Sequence, residues 1–208
     1  MLPPLYPILD VDLCRERRLE PLAVLDGFLT GGARLVQLRD KNPSTSARLA
    51  LADRAVARAR AAGARLIVND RPDIARLSNA DGVHVGQDDL SVEEARLIVG
   101  SDAVVGLSTH DEAQIAAALD TSATYIAVGP VYGTSTKDTG YSARGLELVR
   151  VAASSRRKLV VAIGGITLER APEVMKAGAV SVAVISDLLA AGDPSARVRA
   201  FLDRLAQP

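Results

Sequence analysis

The composition of this 208-residue chain is that of an ordinary globular protein and argues against a nucleic-acid or membrane partner. It carries 25 Lys and Arg against 25 Asp and Glu, a formal net charge of zero, whereas nucleic-acid-binding domains usually show a basic excess. No apolar stretch reaches the roughly 18 residues of a membrane span, and no basic segment followed by an apolar one predicts a signal peptide. Cys14 is the single cysteine, which excludes an intrachain disulfide and favours the cytoplasm. The length suits one domain, predicted over residues 1–208.

Eight short apolar runs recur along the chain, and each is typical of a strand in a parallel sheet that helices cover. In chain order they lie at residues 6–10, 34–40, 65–70, 82–86, 104–110, 125–132, 159–166 and 181–188. The stretches between them are rich in Ala, Leu, Arg and Glu and predict helices, most clearly at residues 44–62, 91–100, 111–120 and 168–178. Eight strands that alternate with helices predict an α/β protein, a (β/α)8 TIM barrel.

Local signals support the helix predictions. Ser44 stands where an N-cap belongs, and Gly63 follows the end of that helix. Ser91 and Glu94 have the spacing of a capping box. The segment after Asp70 is so short that its helix is predicted at about one or two turns. The alternative architecture is a doubly wound open sheet, but the first run is not followed by the G-x-G-x-x-G of that fold.

Polar residues collect at the carboxyl ends of the predicted strands. They are Gln37, Arg39 and Lys41; Asn69 and Asp70; Gln87 and Asp89; Ser108 and His110; Thr134, Thr136 and Lys137; Gly164 and Gly165; and Ser186. In a barrel these ends converge on one rim, where barrel enzymes keep their active sites. The sequence therefore predicts an enzyme that acts on phosphorylated or diphosphorylated substrates.

In the segment QLRDK of the second strand, successive side chains are predicted to point to opposite sides, with Leu38 and Asp40 on one of them. Gln37, Arg39 and Lys41 are predicted to share one side, which suits a diphosphate, because arginine can bind such a group with two parallel hydrogen bonds. A salt-bridged rim is the alternative explanation. The loop GTSTK (133–137) and the glycines of IGGI (163–166) predict phosphate-binding backbone, with a plain surface loop and a tight turn as alternatives.

Asp70 and Asp89 end neighbouring strands, and a pair of carboxylates with room for water and phosphate oxygens predicts Mg²⁺, with Mn²⁺ also suitable. Asp89 could instead cap the following helix. The chain has no Cys/His cluster, so zinc is not expected. His84 lies inside an apolar run and is predicted to be a hydrogen-bonded core or rim residue. His110 ends a strand and could bind a ligand or move a proton.

From about Tyr6 to the last helix, the chain resembles the thiamine-phosphate synthase family. The motifs that carry the resemblance are QLRDK, NDR, GVHVGQDD, GLSTH, GPVYGTSTK, AIGGI and AVIS, in this order at successive strand ends. The resemblance implies a transferase that joins 4-amino-2-methyl-5-(diphosphooxymethyl)pyrimidine to 4-methyl-5-(2-phosphoethyl)thiazole and releases pyrophosphate. The chain departs from the family at Gly133, where the family usually has proline, and we therefore expect a more mobile loop.

The resemblance also implies a division of the site. It assigns the metal to Asp70 and Asp89, and catalysis to Arg39, Ser108 and Lys137. The implied ligands of the pyrimidine diphosphate are Gln37, Leu38, Arg39, Asp40, Lys41, Asn69, Ser108 and Lys137. The implied ligands of the thiazole phosphate are Thr134, Ser135, Thr136, Gly165, Ile185 and Ser186.

Two other functions stay open at this point. Thiazole tautomerases are similar barrels in which the residue at His110 would act as acid and base, but they typically lack the counterparts of Lys41, Asp70 and Asp89. A non-catalytic barrel that binds a phosphorylated regulator is the other. A homo-oligomer is compatible with the sequence, which does not fix the number of subunits.

Overall fold

The computed structural model describes residues 2–42, 44–133, 141–190 and 192–207. Its strands are all parallel and close into one barrel in sequence order, which confirms the predicted fold and excludes the open sheet. The strands are β1 (Leu5–Asp10), β2 (Leu35–Arg39), β3 (Arg65–Asn69), β4 (Gly82–Val85), β5 (Val104–Thr109), β6 (Tyr125–Val128), β7 (Leu159–Ile163) and β8 (Ser181–Val184).

Helices surround the barrel. They are α1 (Val11–Glu16), α2 (Pro21–Thr30), α3 (Thr45–Ala61), α4 (Pro72–Leu77), α5 (Val92–Val99), α6 (Glu112–Leu119), α7 (Gly145–Ser154), α8 (Ala171–Lys176) and α9 (Pro194–Ala206), with a 3₁₀ turn at Ser186–Leu189. The predicted caps are present: the Ser44 side chain accepts from Ala47 N, and Ser91 and Glu94 form a reciprocal capping box. In the part of the chain that the structure describes, no helix is both long and apolar enough to cross a membrane.

The apolar residues form two layers because successive strand side chains point to opposite faces of the sheet. An inner cluster that includes Tyr6, Ile8 and Tyr125 fills the barrel, whereas residues such as Leu5 and Leu9 pack outward against the helices. The register pairs Ile8 with Gln37 and Asp10 with Arg39, so the polar ends of neighbouring strands meet at one rim.

The last three strands end earlier than the apolar runs that predicted them. β6 stops at Val128, before Pro130, which has no N–H to give to a sheet. β7 stops at Ile163, and the next two residues, Gly164 and Gly165, have φ values of 102° and 61°. The apolar residues beyond these points therefore belong to loops, and these loops form the wall of a cavity.

Candidate active site

A cavity of about 370 Å³ opens at the carboxyl ends of β5 to β8. Its size falls within the range of small-molecule sites, roughly 300–1,000 Å³. The residues that line it are Arg17, Ser108, His110, Gly129, Pro130, Gly133, Ile163 to Thr167, Arg170, Ala183 to Asp187 and Ala190. The cavity thus joins Gly165, Ile185 and Ser186, which the resemblance assigns to the thiazole phosphate, with Ser108, which it assigns to the diphosphate.

The wall of this cavity is built from backbone that only glycine permits. A Cβ at Gly164 would lie 2.6 Å from Pro130 Cα, and one at Gly165 would lie 2.5 Å from the Gly133 carbonyl oxygen. The Tyr132 N–H donates to the Gly164 carbonyl oxygen at 3.0 Å, which joins the loops after β6 and β7. Because these loops pack backbone against backbone, main-chain groups can approach a ligand closely.

Three of the predicted thiazole-phosphate residues line the cavity, namely Gly165, Ile185 and Ser186. Ile185 has φ −115° and ψ −86° and stands directly before the 3₁₀ turn. Gly133 also lines the cavity, and an added Cβ there would meet nothing within 4 Å. Thr134, Ser135, Thr136 and Lys137 lie outside the described residues, and so does the rest of the loop that we expected to be mobile.

Two cations at the cavity were not predicted from the sequence. The Arg170 guanidinium donates from Nη1 to the Gly165 carbonyl oxygen at 2.9 Å and lies over the Tyr132 ring, 4.5 Å from its centroid. Arg17, just beyond α1, donates from Nη1 to the Leu189 carbonyl oxygen at 2.9 Å. Both side chains are exposed and add positive charge to a wall that also contains the Asp187 carboxylate, which is ion-paired with Arg197.

The half of the rim that was predicted to bind the diphosphate lies at β1 to β3. Gln37 is buried and donates to the Tyr6 hydroxyl at 3.2 Å inside the barrel, and Arg39 forms an ion pair with Asp10. The Arg39 Nε atom is buried and, within the described ranges, has no hydrogen-bond acceptor. Because an unsatisfied buried donor is costly, this N–H suits a ligand oxygen.

Not every predicted diphosphate residue reaches the barrel interior with its side chain. Leu38 packs in the outer cluster against the helices. The Asp40 side chain, 6% exposed, accepts from Asn42 N at 2.9 Å, and Arg15 lies 3.7 Å from it. Asn69 ends β3 beside His84 of β4. Leu38 and Asp40 can therefore contribute only main-chain groups on the inner side.

The two predicted metal ligands lie together at the ends of β3 and β4. Asp70 has a φ of 63° and accepts from the Lys41 ammonium group. Asp89 accepts from Gly86 N at 2.7 Å and not from the helix, whose cap is Ser91, so the capping alternative is wrong. Partial desolvation raises the pKa of Asp89, and the neighbouring Asp70 carboxyl raises it further. Among the described residues, no group of three or more His, Cys, Asp or Glu side chains could hold a metal.

The two histidines occupy different places. His84 is buried and hydrogen-bonded, as predicted: its Nε2 lies 2.9 Å from Ser108 Oγ and its Nδ1 lies 3.0 Å from the Tyr125 hydroxyl. His110 lines the cavity, and its Nδ1 donates to the Gly129 carbonyl oxygen at 2.6 Å. The His110 ring stacks on Tyr141 with centroids 4.3 Å apart.

A closed barrel with a glycine-lined cavity on one side of its rim, and cations and paired acids on the other, defines a barrel enzyme for phosphorylated ligands. The profile of the thiamine monophosphate synthase family matches residues 5–188. Thiamine-phosphate synthase from Roseiflexus sp. RS-1 is 42% identical over 94% of this chain and 82% of its own, and the one from Mycobacterium sp. KMS is 44% identical over 98% and 97%. The solved thiamine phosphate pyrophosphorylase from Pyrococcus furiosus superposes with a TM-score of 0.86 at 31% identity, covering 98% of this chain and 97% of that one. The chain belongs to the thiamine monophosphate synthase family, whose members are transferases of thiamine biosynthesis.

Proposed function

We propose that this chain joins 4-amino-2-methyl-5-(diphosphooxymethyl)pyrimidine to 4-methyl-5-(2-phosphoethyl)thiazole, giving thiamine phosphate and pyrophosphate. The observation that supports the proposal is that one rim holds two unlike groups of residues, each suited to an anion: a cavity walled by glycine backbone, and a set of cationic side chains beside paired carboxyl groups. Two phosphorylated substrates require two such sites. Ser108 lines the cavity at the end of β5, next to the strands that carry the second set.

The diphosphate half stabilises a leaving group. The C–O bond to the pyrimidine methylene breaks with its electron pair going to pyrophosphate, and the aminopyrimidine ring stabilises the resulting cation. Negative charge then builds on pyrophosphate, where Arg39, Lys41 and Lys137 are assigned to bind it, since fixed cations act most strongly where charge develops. The buried Arg39 Nε–H, which has no acceptor among the described residues, supplies a further donor.

The residues at the ends of β3 and β4 suit Mg²⁺. This ion typically takes one or two carboxylates and fills its remaining positions with water and phosphate oxygens, so Asp70 and Asp89 form a sufficient protein set. Partial desolvation and the nearby Asp70 carboxyl both raise the pKa of Asp89, and a divalent cation would relieve the repulsion between the two carboxylates. When bound, Mg²⁺ would neutralise charge on the diphosphate.

The other half holds the second substrate in place. Main-chain groups around Gly165 and Ile185, with Ser186, Thr134, Ser135 and Thr136, are assigned to its phosphate. The thiazole nitrogen then donates its lone pair to the pyrimidine methylene cation and forms the new C–N bond. Positioning supplies much of the remaining rate enhancement, and the reaction needs no side-chain nucleophile. We place the enzyme in the cytoplasm, where the buried thiol of Cys14 stays reduced.

The test is release of pyrophosphate with both substrates, with and without Mg²⁺. We expect release that requires both substrates and the metal. Release with the pyrimidine diphosphate alone, at the same rate, would show a hydrolase instead, and no release at all would favour a non-catalytic barrel that binds a phosphorylated regulator.

Thiazole tautomerase is the second candidate, and the observation in its favour is the place of His110 in the cavity wall. Its Nδ1 donates to a carbonyl oxygen, so the neutral ring would have an acceptor at Nε2. The presence of Lys41 in contact with Asp70, beside Asp89, favours the synthase. Isomerisation of a thiazole phosphate in the absence of the pyrimidine substrate would identify a tautomerase.

A further inference from the structure

A chain of polar side chains crosses the barrel interior below the rim. Gln37 Nε2 donates to the Tyr6 hydroxyl at 3.2 Å, and the Tyr6 and Tyr125 hydroxyl oxygens lie 3.1 Å apart. Tyr125 in turn lies 3.0 Å from His84 Nδ1, and His84 Nε2 lies 2.9 Å from Ser108 Oγ. The chain therefore connects β2 with β5 through four hydrogen bonds, and it ends on a residue that lines the cavity.

The hydrogen bonds that link these side chains have one consistent direction. An amide nitrogen can only donate, so the Tyr6 oxygen accepts from Gln37. The Tyr6 hydrogen then has the Tyr125 oxygen as its acceptor among the described residues, and Tyr125 donates to His84 Nδ1. A neutral histidine that accepts at Nδ1 carries its proton on Nε2, and this N–H donates to Ser108. The Ser108 hydrogen is consequently left to point away from His84.

Packing holds the chain in this arrangement. Tyr6 is 1% exposed and Tyr125 is fully buried. Burial raises the pKa of both phenols, so both stay protonated as the direction requires. The intervening strand β5 leaves room for both side chains because residue 106 is glycine: a Cβ at Gly106 would lie 2.2 Å from Tyr125 Cζ and 2.5 Å from His84 Nδ1.

We propose that Tyr6, Tyr125 and His84 are positioning residues that make Ser108 a hydrogen-bond donor toward the cavity. An anion is stabilised by hydrogen-bond donors. If the Ser108 hydroxyl donated its hydrogen to His84, it would present only lone pairs to the leaving pyrophosphate. The direction of the chain therefore decides whether Ser108 assists or opposes departure of the leaving group. This inference rests on the proposed function for its consequence, but the direction itself is a property of the protein alone.

The first test uses the protein without substrates. In protein labelled with ¹⁵N-histidine, the two-bond ¹⁵N–¹H correlations distinguish the two neutral tautomers, and His84→Asn identifies the signals of His84. We expect the Nε2–H tautomer in the wild type and a mixture in Tyr125→Phe, which removes the donor to Nδ1. An Nδ1–H tautomer in the wild type would overturn the proposal, whatever reaction the enzyme catalyses.

The second test is a double-mutant cycle with Tyr125→Phe and Ser108→Ala, measured as pyrophosphate release. A hydrogen bond to a charged group is worth about 1.5–3 kcal/mol, so we expect Tyr125→Phe to lower kcat roughly tenfold to a hundredfold, with little change in either KM. In the Ser108→Ala background, the same substitution should cost little more, because the residue through which it acts is gone. Full additivity of the two losses would overturn the proposal.

Thr109→Val is the matched control. Thr109 is the next residue of β5, is fully buried, and donates from Oγ1 to the Ala127 carbonyl oxygen at 3.2 Å, but it takes no part in the chain. It should lower the melting temperature without changing the His84 tautomer or kcat. If Tyr125→Phe does not fold, the tautomer of His84 in the wild type still decides the first test. A wild type that shows the Nε2–H tautomer but releases no pyrophosphate would refute the proposed function and leave the direction of the chain standing.

Discussion

Replacing Gly165 with alanine should weaken binding of the thiazole phosphate and leave that of the pyrimidine diphosphate nearly unchanged. Gly165 has a φ of 61°, and its Cβ would lie 2.5 Å from the Gly133 carbonyl oxygen and 2.8 Å from Tyr132 Cβ. The left-handed backbone costs an alanine about 1–2 kcal/mol. The Gly133 carbonyl must also withdraw by roughly 0.9 Å to restore ordinary contact, and shifts of this kind cost about tenfold or more in function.

We therefore expect the KM for the thiazole phosphate to rise roughly tenfold, measured as pyrophosphate release with the pyrimidine diphosphate saturating. Gly63→Ala is the matched control: its φ is 67°, but nothing lies within 4 Å of the added Cβ. Gly63 precedes β3 and so lies at the opposite end of the barrel from the cavity. The Gly63→Ala variant should lose about 1–2 kcal/mol of stability because of its left-handed backbone, and both KM values should stay unchanged. An equal rise in both KM values for Gly165→Ala, or any rise for Gly63→Ala, would refute the reasoning.

Three further predictions concern the rim. Asp70→Asn and Asp89→Asn should each weaken Mn²⁺ binding, followed by electron paramagnetic resonance, and lower Mg²⁺-dependent turnover while the circular dichroism spectrum is kept; unchanged activity at limiting Mg²⁺ in both would contradict the metal assignment. Lys137→Ala should cut coupling by roughly two orders of magnitude, and His110→Ala should cost less; the reverse order would mean a tautomerase. Burial raises the pKa of Tyr132 from 10.0 to about 12. The stability that its protonated phenol contributes is therefore complete below pH 10 and is lost as the pH rises toward 12. The difference in alkaline ultraviolet titration between the wild type and Tyr132→Phe should have its midpoint near 12.

The strands were predictable from the sequence because parallel strands under helices are apolar on both faces, and such runs stand out without any knowledge of their partners. The positions at which the strands end were less predictable. The run at 125–132 continues past the end of β6 because Val131 and Tyr132 pack as loop residues, and Pro130 was the signal that the sheet had already ended. An apolar run shows burial, and burial does not distinguish a strand from a loop that packs on the core.

The two helices between β1 and β2 were not predicted from the sequence, although signals for α2 are present. Glu20 caps α2 through Ala23 N, and Pro21 stands at its first turn, a position that proline favours. The connection between α1 and α2 needs Arg18 at a φ of 57°, and an arginine gives no sequence signal of such a conformation. The sequence analysis assigned neither α1 nor a role for Arg17, so the place of Arg17 at the cavity was not predicted.

The residues at the rim were predictable because each follows a strand end, but their partners were not. Tyr6 and Tyr125 are 119 positions apart and stand in apolar runs, so both are predicted as ordinary core residues. Only the register, which sets Gly106 beside both Tyr125 and His84, brings the phenols and the imidazole together. A polar network inside a barrel depends on pairing across several strands, and a single sequence holds no direct signal of that pairing.

In the proposed reaction, the two halves of the rim bind their anions by different means. The phosphate of the thiazole does not react, so contacts to it can be equally strong before and during the reaction, and neutral main-chain groups around Gly165 suffice for that. The pyrophosphate gains charge as its bond breaks, and only contacts that strengthen with that charge raise kcat. The cations Arg39 and Lys41, and a Ser108 held as a donor, have this property. Substitutions on the β2 side should accordingly lower kcat, whereas those on the β7 and β8 side should raise KM.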